Sequence, residues 1–322
     1  MCCDKDAYVN CPNGDGNCEN AEWTVSEGQG RLSIVRFITN CIKDINPPDS
    51  IGKTVMRYAA EKGHLDVIKL YVENLKKNNL NINPSTIDGV TVMHSAAEKG
   101  YLDIIKFYVN KLRKSDLDIN PPTKKGKTVL HMAAANGQID IVNFYLKILE
   151  DKNPPLVKNG KFVGGTPLHY AAQAGHLDIV KAITKVALDK NPSDVHDLTP
   201  FHLAALNGYL PVVEYLFQYL NSVDIPTDDY WTKKTPLMFA CMLGHLDVIK
   251  FLVKNGADIK LRDSNNWTLL MYAAWKGYID VAKYLIEEGA DPKLKSTSKK
   301  TAYDIALQFG QSEVFEYLEQ FN

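Results

Sequence analysis

Between Thr166 and Ile183 the apolar and polar positions fall into two short helical registers that meet at one glycine. Leu168, Ala171 and Ala172 make the first apolar stripe, and Leu177, Ile179, Val180 and Ile183 make the second at the spacing of a 3.6-residue period. Thr166 stands where an N-cap belongs, Pro167 suits the first helical position, and Gly175 suits the far end. The pattern predicts a helical hairpin. Neither half buries its apolar face alone, so the hairpin needs neighbours.

The neighbours are copies of itself. The capping threonine recurs at Thr54, Thr91, Thr128, Thr166, Thr199, Thr235, Thr268 and Thr301, at intervals of 37, 37, 38, 33, 36, 33 and 33 residues. Nine positions after each stands a glycine, from Gly63 to Gly310. Repeats at this period predict a stacked array. The run Thr166-Pro167-Leu168-His169-Tyr170-Ala171-Ala172, its near copy from Thr199 with Phe201 in place of leucine, and the closing Gly256-Ala257-Asp258 and Gly289-Ala290-Asp291 resemble the ankyrin-repeat family. The resemblance extends over roughly nine-tenths of the chain. It implies an all-α repeat solenoid of stacked helix-turn-helix repeats with β-hairpin fingers.

In that register, residues 1–20 read as a disordered, Cys-containing tail, and 21–322 as a single array. Within it, 21–49 is expected to be an N-terminal cap repeat, 50–297 seven internal repeats, and 298–322 a C-terminal cap repeat. At the start, Ala21, Ser26 and Glu27 replace the cap threonine and both alanines. At the end, Ala302, Asp304 and Leu307 replace Pro, His and Ala. Polar substitution at the ends suits repeats with one neighbour. The extra residues of the first two full repeats follow the second helix (Val72–Lys77, Val109–Lys114) and amount to about one added turn. Tyr71, Tyr108 and Tyr145 share one position among core aliphatics and read as stacked core. Asn-Pro pairs such as Asn153-Pro154 and Asn191-Pro192 stop the second helices. Lys158–Gly165 is an insertion that predicts a longer finger with an exposed aromatic, Phe162.

Charge narrows the function. Of 322 residues, 37 are basic and 38 acidic, leaving no bulk field to draw nucleic acid or an anionic membrane. No apolar run reaches the roughly 18–20 residues that span a bilayer. The first residues lack the pattern of a secretory signal, so the six cysteines read as reduced and the chain as cytoplasmic. Cys2, Cys3, Cys11 and Cys18 lack paired zinc spacing, and Asn13-Gly14-Asp15-Gly16-Asn17 has Cys18 where a calcium loop needs glycine.

Catalytic and cofactor signatures dissolve into the repeat. Gly52-Lys53-Thr54 and Gly126-Lys127-Thr128 imitate the end of a phosphate-binding loop, but Pro47 and Pro121 stand where its first glycine is needed. His94, His131, His169 and His202 sit on successive helices expected about 8–10 Å apart, too far to share a metal at about 2 Å per bond. They are expected to hydrogen-bond near the helix N-termini and tie repeats together. Asp66, Asp103, Asp140, Asp178, Asp247 and Asp280 fall early in the second helices, where the dipole favours an anion. The expectation is therefore no catalytic residue, no metal and no cofactor.

The family resemblance implies that partners bind at the finger tips and on the exposed face of the first helices. The implied positions lie four, three and one before the threonine and seven and eight after it. Early repeats place Glu61-Lys62 and Glu98-Lys99 at the last two. Later ones place Leu206-Asn207, Met242-Leu243, Trp275-Lys276 and Gln308-Phe309 there, with Tyr230, Trp231 and Trp267 on the fingers. Aromatic residues and Met are enriched in the cores of interfaces. Leu206, Tyr230, Trp231, Met242, Leu243, Trp267 and Trp275 are thus the expected partner-binding set. The expected protein is a monomeric scaffold or adaptor for a protein partner, binding neither nucleic acid nor a small-molecule cofactor. The alternative is an accessory or targeting array of a larger enzyme or membrane-associated complex, which the ragged Cys-rich start extends to a truncated gene product.

Overall fold

A computed structural model describes residues 53–158 and 161–321. The expected tail and N-terminal cap repeat lie outside these residues. The described chain forms two compact units, one ending at Val129 and one running from Leu130. The first unit carries α1 (Val55–Glu61), α2 (Leu65–Lys77), α3 (Val92–Lys99) and α4 (Leu102–Arg113), and α5 (Val129–Ala135) begins at its last residue. The second carries α6 (Ile139–Ile148), β1 (Leu156–Lys158), β2 (Lys161–Gly164), α7 (Pro167–Ala174), α8 (Leu177–Val186), α9 (Pro200–Leu206) and α10 (Leu210–Phe217). It continues with α11 (Pro236–Leu243), α12 (Leu246–Lys254), α13 (Leu269–Lys276), α14 (Ile279–Glu287), α15 (Ala302–Gln308) and α16 (Ser312–Glu319).

Each threonine opens a first helix and each ninth-position glycine closes it. In the second unit the first helices stack in chain order, α7 on α9, α9 on α11, α11 on α13 and α13 on α15. The second helices form a parallel row, α6 to α8 to α10 to α12, and α8, α10 and α12 each pack on their own first helix. In the first unit α1 packs on α3 in the same way. The core is the seam between the rows. The paired alanines, such as Ala171 and Ala172 or Ala273 and Ala274, are fully buried there, so first helices approach closely. Tyr71, Tyr108 and Tyr145 are buried among aliphatics, and burial pushes the Tyr71 hydroxyl up to about 12. At 13 and 12 residues, α2 and α4 carry the added turn that the long early repeats predicted.

The ninth-position glycine is fixed by conformation and by space together. Gly175 has φ +77, and a Cβ added there would lie 2.5 Å from the Tyr209 ring of the next repeat. The residue following the glycine thereby packs on the preceding repeat's glycine. His245 and Gln311, at this same position, also donate to the carbonyls of Leu206 and Trp275.

A second tie runs through the histidines. In α7 the Thr166 backbone N–H donates to His169 Nδ1 at 3.0 Å, and His169 Nε2 lies 3.0 Å from the Leu198 carbonyl of the next finger. Nδ1 accepts, so Nε2 carries the proton and donates: the ring is neutral, and its tautomer is set at both ends. His94 bridges Thr91 to the Lys127 carbonyl in the same manner, and His202 bridges Thr199 to the Ile225 carbonyl. Asn of the Asn-Pro pairs does more than end a helix. The Asn153 and Asn191 side-chain oxygens accept the N–H groups of Leu168 and Phe201, orphan donors in the first turn of the following helix.

The fingers are tight turns. In most, the N–H five before the threonine donates to the carbonyl one before it, as in Thr86 to Val90, Asp194 to Leu198 and Asp263 to Trp267. The residue two before the threonine takes left-handed φ: Gly89, Gly126, Asp197, Asn266 and Lys299. Gly126 of the Gly-Lys-Thr sequence is therefore a finger tip. Neighbouring fingers are joined by one backbone bond each, Lys124 N–H to Asp88, Ser264 to Thr232, and Thr297 to Asn265. Among the described residues the β1–β2 insertion is the finger that forms a ladder, antiparallel and with a register shift after Leu156. Two others close on single bridges, Ser85 with Thr91 and Pro122 with Thr128. The side chain of Phe162 lies outside what is described.

Burial holds His94 and His202 down at about 4, and lowers His169 as well. Unfolded imidazoles take up protons below about pH 6.5 while the folded ones stay neutral, so this contribution is present above that value and is lost as pH falls towards 4. Each of the two contributes up to about 3 kcal/mol. Hydrogen exchange at about pH 7 and about pH 5 is expected to show α3, α7 and α9 losing protection before α11 and α13, where Met238 and Met271 replace histidine. Equal loss in all five helices would contradict this.

Candidate protein-binding face

The insertion that lengthens one repeat builds the centre of the site. The interval from Thr199 to Thr235 exceeds 33 by three residues, and the finger before Thr235 closes by the Thr227 N–H donating to the Lys234 carbonyl. The finger-to-finger bond survives, with Asp228 N–H donating to the His196 carbonyl. The surplus is absorbed by a 3₁₀ turn, Asp229–Trp231, followed by two left-handed residues, Thr232 and Lys233. Asp228 Oδ1 accepts the N–H groups of Tyr230 and Trp231 and so fixes the turn.

From this turn Trp231 points along the first helices. With Leu206 at the end of α9 and Met242 near the end of α11, it forms a half-buried apolar group packed over Leu198, Leu203 and Phe239. Its ring meets Phe239 edge-on at 6.0 Å. Tyr230 points outward, 70% exposed, with one face stacked on His196 at 4.4 Å. His196 Nδ1 lies 3.0 Å from Asp228 Oδ2, a partly exposed pair between neighbouring fingers. Leu243 is exposed at the end of α11.

One repeat further on the aromatic surface continues in a second group. Trp267, on its finger, tilts against Tyr272 at 5.1 Å and meets Trp275 edge-on at 6.0 Å. Trp275 meets Phe309, at the end of α15, at 6.2 Å. Lys276 Nζ sits 4.0 Å from the Trp275 ring centre. A buried carboxylate supports this group: Asp263 accepts the Tyr272 hydroxyl at 2.6 Å and the N–H groups of Asn265 and Trp267. That hydroxyl is driven above its ordinary range by burial and by the carboxylate beside it.

The seven expected residues therefore fall into two adjoining groups on the finger side of α9, α11 and α13. Leu206, Trp231, Met242, Trp267 and Trp275 are half-buried rather than fully exposed, since each leans on its own repeat or the next. Tyr230 and Leu243 are the exposed members. His196 and Phe309 belong to the same surface and were absent from the expected set. Their register marked them: His196 lies three before Thr199 and Phe309 eight after Thr301. The motif histidines are not open donors, because both ring nitrogens of His94, His169 and His202 are committed. Burial raises the Cys241 thiol well above its ordinary value, which removes it as a nucleophile. No helix among the described residues is long and apolar enough to cross a membrane.

A stack of capped helical hairpins joined finger to finger defines an all-α repeat protein. The profile described as "Ankyrin repeats (3 copies)" matches residues 21–120, 70–154, 108–194, 130–229 and 201–296, and the chain belongs to the ankyrin-repeat family. It is 37% identical over 70 residues to ankyrin repeat and SAM domain-containing protein 6 of Mus musculus, covering 22% of this chain and 8% of that protein. Over 71 residues it is 35% identical to the glycerophosphocholine phosphodiesterase GDE1 of Candida albicans, 22% of this chain and 6% of that one. Over 80 residues it is 35% identical to transient receptor potential cation channel subfamily A member 1 of Drosophila melanogaster, again 22% and 6%. The matches thus span a small fraction of these relatives' lengths.

Burial separates packing from display within the aromatic surface. Trp231→Ala is expected to cost about 2 kcal/mol through its contacts with Leu206, Met242 and Phe239, whereas Tyr230→Ala should change stability by no more than about 0.5 kcal/mol. Urea denaturation of the two variants checks the difference; equal costs would contradict the packing described.

Proposed function

We propose that this chain is a non-enzymatic interaction scaffold or adaptor that holds a protein partner on the finger side of α9, α11 and α13. Leu206, Tyr230, Trp231, Met242, Leu243, Trp267 and Trp275 form the contact, with His196 and Phe309 at its margins. The observation that carries this reading is the recurrence of large apolar side chains in successive repeats, Trp231 with Leu206 and Met242 in one group, then Trp267, Trp275 and Phe309 in the next. The three-residue surplus leaves the finger bonds in place, with Trp231 half-buried over Phe239 and Tyr230 exposed. Trp and Tyr are enriched in interface hot spots, and Met in interface cores.

The assignment as a scaffold rests on the commitment of the repeated His and Asp side chains to caps and ties. Asp103 and Asp178, for instance, accept the N–H of the next residue in the first turn of α4 and α8. Residence in the cytoplasm belongs to this reading and agrees with Cys241 as a free, buried thiol. So does a monomeric chain, with the partner a different protein. A second reading, an accessory array serving a larger enzyme or membrane assembly, draws support from the similarity to segments of a phosphodiesterase and a cation channel.

Co-purification with quantitative mass spectrometry tests the face. A Tyr230→Ser, Leu243→Ser double variant is expected to lose the specifically bound partner at least tenfold while its denaturation midpoint stays within about 0.5 kcal/mol of wild type. The identity of that partner separates the two readings. Undiminished capture by the variant would place binding elsewhere on the molecule.

A further inference from the structure

The last two repeats separate their charges between two sides. The second helices α14 and α16, with the residues flanking them, expose Asp280, Glu287, Glu288, Glu313, Glu316 and Glu319 against a single lysine, Lys283. The finger side of the same repeats is opposite in sign. Lys276 ends α13, and Lys293, Lys295, Lys299 and Lys300 lie on the finger that leads into α15. All but Lys300 are exposed. Two exposed carboxylates stand among these five lysines: Asp291, which accepts the Lys293 N–H, and Asp304, which caps the Thr301 N–H at 2.9 Å and is held low by that bond and in part by the charges of Lys295 and Lys300. In a chain of net charge −1, this segregation is local and does not follow from composition.

Two of these lysines border the aromatic group. Lys276 sits over Trp275, and Lys300 bonds Gln308, the residue next to Phe309. The lysine-bearing finger is tied to the Trp267 finger by the Thr297 N–H to the Asn265 carbonyl. Apolar rings and exposed ammonium groups thus share one surface. A ligand that fits it carries carboxylates and apolar side chains together.

We propose that the partner segment held by this face is an acidic peptide stretch in which Asp or Glu alternates with Phe, Leu or Trp. This rests on the interaction-scaffold reading above and specifies the chemistry of its partner. The apolar side chains lie over Trp267, Trp275 and Phe309, and the carboxylates meet Lys276, Lys293, Lys295 and Lys299. Complementary charge at the rim speeds encounter and rejects basic competitors. Single-stranded nucleic acid shares the negative charge but not the second requirement. Stacked bases need flat ring faces set in line, whereas Trp267 meets Trp275 and Trp275 meets Phe309 edge-on, a relief that branched and phenyl side chains fill.

A phage-displayed library of random twelve-residue peptides selected on the full chain tests the proposal, with affinities measured by fluorescence anisotropy on synthetic peptides. Selected sequences are expected to combine Asp or Glu with Phe, Leu or Trp. They should bind at least about tenfold more weakly to the Lys293→Glu, Lys295→Glu, Lys299→Glu variant and more weakly in high salt. Neutral or basic peptides whose binding is lost in Tyr230→Ser, Leu243→Ser would overturn the acidic class and leave the scaffold reading standing. Peptides indifferent to both variants would overturn both. Tighter binding of a twelve-nucleotide single-stranded RNA than of any selected peptide would overturn the proposal in favour of nucleic acid.

Discussion

A helix of seven or eight residues leaves about half of its backbone donors and acceptors without intrahelical partners. Every first helix among the described residues is that short, so each depends on groups supplied from outside it. The histidine tie is the most economical of these. One neutral imidazole takes the cap threonine's N–H at Nδ1 and gives its Nε2 proton to a carbonyl of the next finger. It caps a helix, fixes a finger and joins two repeats at once. Because the bond at Nδ1 demands a bare nitrogen, and burial penalises the charged ring, the tie also makes these repeats sensitive to acid.

The apolar face stands on this frame as an addition to it. Most fingers close five residues before the threonine, and each is joined to its neighbour by a single backbone bond. The finger before Thr235 keeps both bonds and still contains three more residues, which wind into the turn bearing Tyr230 and Trp231. Trp231 then closes over Leu206 and Met242, while Tyr230 is left outward against His196. In the next repeat Asp263 has a comparable role, a buried carboxylate that orients Tyr272 and its neighbours beneath Trp267. The frame thereby fixes the position of the aromatic side chains, with Trp231 partly packed into it and Tyr230 left on display.

Much of this was legible in the residues. Threonine, glycine and the paired alanines marked the register directly, because a cap, a left-handed position and a close helix contact each tolerate few residue types. The candidate face was legible as a set of positions but not as a set of exposures. Trp267 and Trp275 are half-buried because they meet each other and Tyr272, contacts between side chains on separate helices and fingers that periodicity does not report. The role of Asn153 and Asn191 was hidden for a similar reason. Proline explains why a helix stops there, yet the asparagine side chain acts ten or more residues ahead, on the next helix. The 36-residue interval was visible, but only the unbroken finger bonds reveal that its surplus became a turn.

That neutral imidazoles of fixed tautomer hold successive repeats together is open to direct observation. Nitrogen-15 NMR of the histidine side chains distinguishes a bare Nδ1 from a protonated one and follows each ring through its titration. His94, His169 and His202 are expected in the Nε2-protonated form, with a bare Nδ1 that persists unchanged as pH is lowered through about 6.5. Rings protonated at Nδ1, or titrating near the value of a free imidazole while the protein remains folded, would contradict it.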